Sequence, residues 1–232
     1  AHPSAPAPIS AMLSGLLIKT LGVYALVRVF FVVIGIDARM RLLLTVLGCL
    51  TMWGGVLLAQ AQDDLKRILA FHSVSQMGYV LIALGLGTWL GVAAALFHAV
   101  NHGLFKSALF LSSGSLERVT GTRRLSEMGG VFRRAPATAV GLVGASLSIA
   151  GIPPFNGFWS KLLILIALAS GGQYLVALLA AGAALMTLVT FVKVQRKALF
   201  GALPARLAGA REVPAAMYLP VLRTLSGEPC PK

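Results

Sequence analysis

Six runs of mainly apolar residues follow one another along the chain, at Ile9–Ile34, Leu42–Gln60, Ile68–Leu86, Leu90–Leu116, Ala137–Leu168 and Tyr174–Val194. About 20 such residues are what a helix needs to cross the hydrocarbon core of a bilayer. The runs show no period-two alternation, which excludes a transmembrane barrel. The pattern predicts an all-α fold, a polytopic transmembrane helical bundle of about six spans. Short, even connections favour one bundle over two domains. Residues 1–200 are expected to form it, and residues 201–232 a polar tail carrying Pro204, Pro214, Pro220, Pro229 and Pro231. A truncated helix could begin near Val213, before Arg223 and Glu228 interrupt it. The opening Ala1–Pro8 reads as a connecting segment with no signal peptide before it, so the chain reads as a piece of something longer.

The fifth run is too long for one straight crossing. Its centre is Gly151-Ile152-Pro153-Pro154-Phe155-Asn156-Gly157-Phe158. Pro153 and Pro154 lack donors and clash with the preceding turn, and Gly151 and Gly157 loosen the backbone. A broken helix is expected over Gly151–Phe158, with non-helical backbone at membrane depth. Such backbone is tolerated only inside protein or beside water, and it exposes helix-end dipoles. A tight loop between two short helices is the alternative.

Composition agrees with a membrane chain: 57% of the 232 residues are hydrophobic, 12% are charged, and the mean hydropathy is +0.85. A soluble domain carries about a quarter charged residues. The net charge of +13 would suggest nucleic acid in a soluble protein. Here the basic residues sit in the connections, so they read as topology signals and no nucleic acid is expected. One side receives Lys66, Arg67, Arg118, Arg123, Arg124, Arg133, Arg134, Arg196, Lys197, Arg206 and Arg211; the other receives Arg39 and Arg41 beside Asp37. The positive-inside rule makes the first side cytoplasmic and starts residue 1 there, in a bacterial-type inner membrane. Cys49 and Cys230 have neither metal nor disulfide spacing.

Some charges lie inside the runs. Lys19 sits near the middle of the first, where a lysine costs about 3 kcal/mol to insert. It is either a protonatable relay site or a static partner of a distant carboxylate. His98, His102 and Lys106 are spaced i, i+4, i+8, which puts all three on one helix face, climbing about 6 Å per step. Imidazole accepts on one nitrogen and donates from the other, so this is the spacing of a proton wire. Core histidines are one alternative. A metal site is another, though no third ligand lies in any run. Lys161 follows the proposed break, where helix-end dipoles would tune it, or it snorkels to the interface. Lys66, with Asp63 and Asp64, reads as topology and capping at the start of the third span. His72 could extend a path, and Lys193 reads as snorkelling. All seven acidic residues fall in loops, helix ends or the tail, so the buried lysines are expected to find their counter-charge outside this chain or to be neutral much of the time. No motif supports bound-substrate chemistry, and neither a cofactor nor a metal is expected.

Five ordered stretches resemble the proton-conducting antiporter-like subunits of respiratory complex I, membrane-bound hydrogenases and Mrp-type cation/proton antiporters. They are Ala1–Ser10, the helix through Lys19, Asp64-Leu65-Lys66-Arg67 running on to Tyr79, His98–Lys106, and Gly151–Lys161. The resemblance covers roughly residues 1–200. It implies the second of two inverted five-helix repeats, from the eighth helix to about the thirteenth of fourteen. It implies that Lys19 is the central lysine between half-channels and that His98, His102 and Lys106 lead onward. It also implies that Lys161 is the lysine of the second broken helix, near the exit, and that Lys66 is linked to conduction. Read in that light, the relay runs Lys19, then His98, His102 and Lys106, then Lys161.

The leading expectation is proton translocation by a subunit of a redox-driven complex, of NADH:quinone oxidoreductase or membrane-bound hydrogenase type, with no redox centre of its own. Its partners would be other membrane subunits and the lipid bilayer. A subunit of a Na+/H+ antiporter, moving sodium as well, is the second expectation; a non-conducting scaffold is the third.

Overall fold

A computed structural model describes residues 6–13, 18–207, 212–214, 217–219 and 221, without the side chains of residues 18–20 and 206. Among these residues there are helices and no strand, apart from one isolated bridge between Asp64 and Arg124. The elements are α1 (Ala7–Met12), α2 (Ile18–Val27), α3 (Ala38–Gln60), α4 (Leu65–Gly85), α5 (Trp89–Thr120), α6 (Pro136–Ala150), α7 (Asn156–Ser170) and α8 (Tyr174–Ala198). A π-helical stretch, Arg28–Val33, extends α2. The first expected span therefore corresponds to α1, α2 and this stretch, and the others to α3, α4, α5, the α6–α7 pair and α8.

Local chemistry sets the helix ends. Asp37 accepts from the Met40 amide at the start of α3 (2.8 Å), Asp64 from the Arg67 amide at the start of α4 (2.9 Å) and Thr88 from the Gly91 amide at the start of α5 (3.1 Å). Each satisfies an amide that the helix leaves open. The capping expected of Asp64 is thus realised. α5 ends on Gly121 at φ 69°, a left-handed conformation that costs glycine nothing. At 32 residues α5 is about 48 Å long, more than the membrane core, so its last turns stand beyond a 30 Å slab if it crosses upright.

α3 and α4 touch backbone to backbone along a glycine seam. A Cβ built on Gly78 would stand 2.6 Å from the Gly48 carbonyl oxygen and from the Met52 amide. Gly55 is equally close to Ser75, at 2.5 Å from its amide. Small residues at such contacts are how helices pack where water supplies no drive to associate.

The fifth run does break. α6 stops at Ala150, Gly151 turns the chain at φ 85°, and α7 resumes at Asn156. The two halves lie end to end along α5, not side by side as a hairpin. Gly141 of α6 packs near Ser112 of α5, Asn156 bonds Asn101, and Ser160 of α7 meets His98. α5 is thereby faced in turn by α6, the break and α7. Gly157 lies directly against the Ser148 carbonyl, a place no side chain could share.

Candidate functional site

The interior between α4, α5 and α7 is polar. His72, Gln76, His98, His102, Lys106, Ser160 and Lys161 are all buried. In a bundle that faces lipid, polar groups are carried only where they face inward and find partners or water.

Lys161 lies just past the break. Its ammonium donates to the carbonyls of Ile149 (2.7 Å) and Ala150 (3.3 Å), the last two residues of α6. These carbonyls are left open by the helix and form the negative end of its dipole. The ammonium also stands 5.2 Å over the Tyr79 ring, and Tyr79 is anchored through its hydroxyl to the Ala180 carbonyl at 2.7 Å. Among the described residues no carboxylate comes within ion-pair distance of Lys161. The break therefore creates the site: without it, Ile149 and Ala150 would spend their carbonyls inside a helix.

His98 Nδ1 lies 3.0 Å from Ser160 Oγ, and Ser160 donates its single hydrogen to the Gly157 carbonyl at 3.2 Å. That assignment makes His98 the donor from Nδ1 and leaves Nε2 as an acceptor. The His98 and His102 ring centroids are 6.3 Å apart. One turn on, Lys106 donates to the Leu69 carbonyl of α4 and lies 5.3 Å over the Phe110 ring. Ser73 donates to the same Leu69 carbonyl.

Four of the expected residues, Lys161, His98, His102 and Lys106, thus come together, with one change of order, while Lys66 stands apart. Lys161 adjoins His98, not Lys106, so the sequence in space is Lys161, His98, His102, Lys106. The reason is that α7 runs antiparallel to α5 and meets it at the end nearer Trp89. The Lys19 side chain lies outside the described residues. His72 is buried against Phe191 with ring centroids 4.9 Å apart, and neither of its nitrogens nor the Gln76 amide has a hydrogen-bond partner among the described residues. Among the described residues no three His, Cys, Asp or Glu side chains gather as a metal site would need.

Three features went unseen in the sequence. Asn156 bridges Asn101 (3.1 Å) and Ser148, tying α5, α6 and α7 together at the break. Lys193 donates to the carbonyls of Gln60 (2.7 Å) and Gln62 (3.2 Å), capping the end of α3. Most important, Lys66, read from the sequence as a topology and capping residue, is buried and has a counter-charge in this chain. Its ammonium is 2.9 Å from a Glu117 oxygen, and Arg123 Nε is 2.6 Å from the other. Glu117 looks like a helix-end surface residue in sequence, and only the approach of α4 to the end of α5 makes it a partner.

The family described as NADH:quinone oxidoreductase/Mrp antiporter, TM, matches residues 1–187. The chain belongs to that family. It is 39% identical over 197 residues to a Na(+)/H(+) antiporter subunit of Alkalihalophilus pseudofirmus, covering 84% of this chain and 40% of that protein. It is 34% identical over 237 residues to an NADH-quinone oxidoreductase subunit of Desulforudis audaxviator, covering 96% and 47%. Among solved structures it superposes on the Mrp complex of a Dietzia species with a TM-score of 0.90 at 29% identity, covering 98% of this chain and 50% of that one. It also superposes on the membrane-bound sulfane sulfur reductase, an archaeal respiratory membrane complex, with a TM-score of 0.89 at 30% identity, covering 98% and 39%. The chain thus spans half or less of the length of these family members. The multi-pass membrane architecture read from the apolar runs is the architecture of the family.

Proposed function

We propose that this chain moves protons across a membrane as part of a multisubunit ion-translocating complex, through a relay of Lys19, Lys66, His98, His102, Lys106 and Lys161. The observation that carries the reading is the buried file from Lys161 through Ser160, His98 and His102 to Lys106. Lys161, at its head, is held by the Ile149 and Ala150 carbonyls and the Tyr79 ring face. An ammonium held by dipoles can lose its proton without leaving a carboxylate stranded, which a fixed ion pair could not do. The imidazoles between can pass a proton from nitrogen to nitrogen, with water completing the gaps that exceed hydrogen-bond length. Residues 1–200 form the conducting unit, with the arginine-rich connections in the cytoplasm and other membrane subunits completing the path.

The likeness to a quinone oxidoreductase subunit favours a non-redox pumping subunit of such a complex. The 39% identity to a Na(+)/H(+) antiporter subunit supports a second reading, exchange of protons for sodium. Membrane vesicles carrying the complex distinguish them. A pumping subunit acidifies or alkalises the lumen only when the electron donor is added; an antiporter subunit does so when a sodium gradient is imposed. Lys161→Ala should abolish either response while the complex assembles normally. Undiminished proton movement in that variant would overturn the relay.

A further inference from the structure

Lys66 and Glu117 are each at the wrong end of a helix. Lys66 is the second residue of α4, where the dipole is positive and an acid belongs; Glu117 is in the last turn of α5, where the dipole is negative and a base belongs. The neighbouring Asp64 and Arg118 show the favourable arrangement at the same two ends. Stability alone would not exchange the signs, bury the lysine to 2% exposure and leave the acid 29% exposed. The two charges compensate each other at 2.9 Å, with Arg123 on the second carboxylate oxygen.

The pair borders a cavity of about 390 Å³, lined by Pro6, Lys66, Ser115, Glu117, Arg118 and Arg123 among others. Such a volume holds several waters. Glu117 also continues the relay stripe. It is 11 residues from Lys106 on one helix, a rotation of about 1100°, or only about 20° away from the Lys106 direction, and about 16 Å along the axis. Ser113 falls on the same stripe between them, buried. On α4, Lys66 is one turn from Leu69, whose carbonyl holds Lys106. Both helices thus lead from the cavity to the relay.

We propose that Glu117 is the proton-exchange port of the relay on this arginine-rich face, with Lys66 as its inner partner. This rests on the relay reading given above. A hydronium ion in the cavity gives its proton to the Glu117 carboxylate, leaving water and a neutral acid. The Lys66 ammonium, its partner neutralised and the α4 dipole opposing it, passes one proton inward and becomes a neutral amine. The acid then returns its proton to the amine, restoring the pair. Run backwards, the same steps release protons to the cavity. Arg123 holds the second carboxylate oxygen and keeps it at the cavity wall.

The test compares Glu117→Gln, Glu117→Asp and Lys161→Ala in vesicles carrying the assembled complex. Gln keeps an acceptor for Lys66 but cannot titrate; Asp can. Glu117→Gln should slow proton transfer on the order of tenfold or more with normal assembly, and Glu117→Asp should retain most of it. If Glu117→Gln runs at the normal rate while Lys161→Ala is dead, the port is wrong and the relay stands. If both run normally, the relay itself is wrong. Arg118→Cys, at an exposed residue on the cavity wall, gives a reading that needs no change at Glu117. A membrane-impermeant maleimide should label it from the arginine-rich side and block transfer; labelling that leaves the rate unchanged would also overturn the port.

Discussion

Lys161 and Lys66 are both buried lysines within the first two turns of their helices, yet they are held in opposite ways. Lys161 rests on the open carbonyls of α6, and among the described residues has no carboxylate beside it. Lys66 rests on the full charge of Glu117. Dipoles compensate a charge partially and do not change when the proton leaves. A carboxylate compensates fully, but its removal leaves an uncompensated ion. The first arrangement suits a group that alternates between charged and neutral. The second suits a contact that changes only when its partner is titrated.

The contrast breaks most severely at Lys161. Lys161→Ala should lower proton transfer by about a hundredfold or more, measured as dye quenching in vesicles, with the complex still assembled. Normal assembly is expected because the carbonyls it frees can turn to water in a polar interior. Both lysines also depend on α4 standing close against α3. Gly78→Val forces a side chain onto the Gly48 carbonyl and should cost about 3 kcal/mol or more of stability, seen as a lower melting midpoint in detergent and reduced yield. An unchanged midpoint would mean that the glycine seam does not position α4.

Glu117→Ala sharpens the other half of the contrast. It removes the carboxylate 2.9 Å from the Lys66 ammonium and should cost about 2 kcal/mol, less than a fully buried pair because Glu117 is part-exposed. Adding Lys66→Met should recover most of that loss, whereas a loss unrelieved by the second change would show that the two do not act as a pair. Ser160→Ala removes one hydrogen bond to His98 and should cost about 1 kcal/mol, or a severalfold slower transfer, with Ser160→Thr restoring it. The smallest effect is at Asp63, in the connection before α4. Burial pushes its carboxyl up, but hydrogen bonds from Ser126 and the charges of Lys197 and Lys193 outweigh this and hold it below the ordinary aspartate range. Its contribution is present at neutral pH and fades as pH falls through that range toward the lowered folded value. Asp63→Asn should flatten this acid limb of the melting curve by a few tenths of a kcal/mol at most, as expected of an exposed pair.

The helices and the break were legible in the sequence because both follow from local chemistry. Twenty apolar residues make a span in any context, and Gly151, Pro153 and Pro154 interrupt a helix wherever they stand. The face shared by His98, His102 and Lys106 was legible for the same reason, since helical pitch alone aligns them. The placement of Lys161 beside His98 was not, because it depends on α7 running antiparallel to α5. The partner of Lys66 was not, because Glu117 lies 51 positions along the chain and belongs to a different helix. The carbonyls that receive Lys161, Lys106 and Lys193 were invisible too, since every residue has one and only packing decides which stay open. The sequence by itself determined which segments are apolar helices and which groups within them are titratable. The tertiary structure decided what each charge rests against, because compensation depends on distance between helices, and spacing along one helix does not contain it.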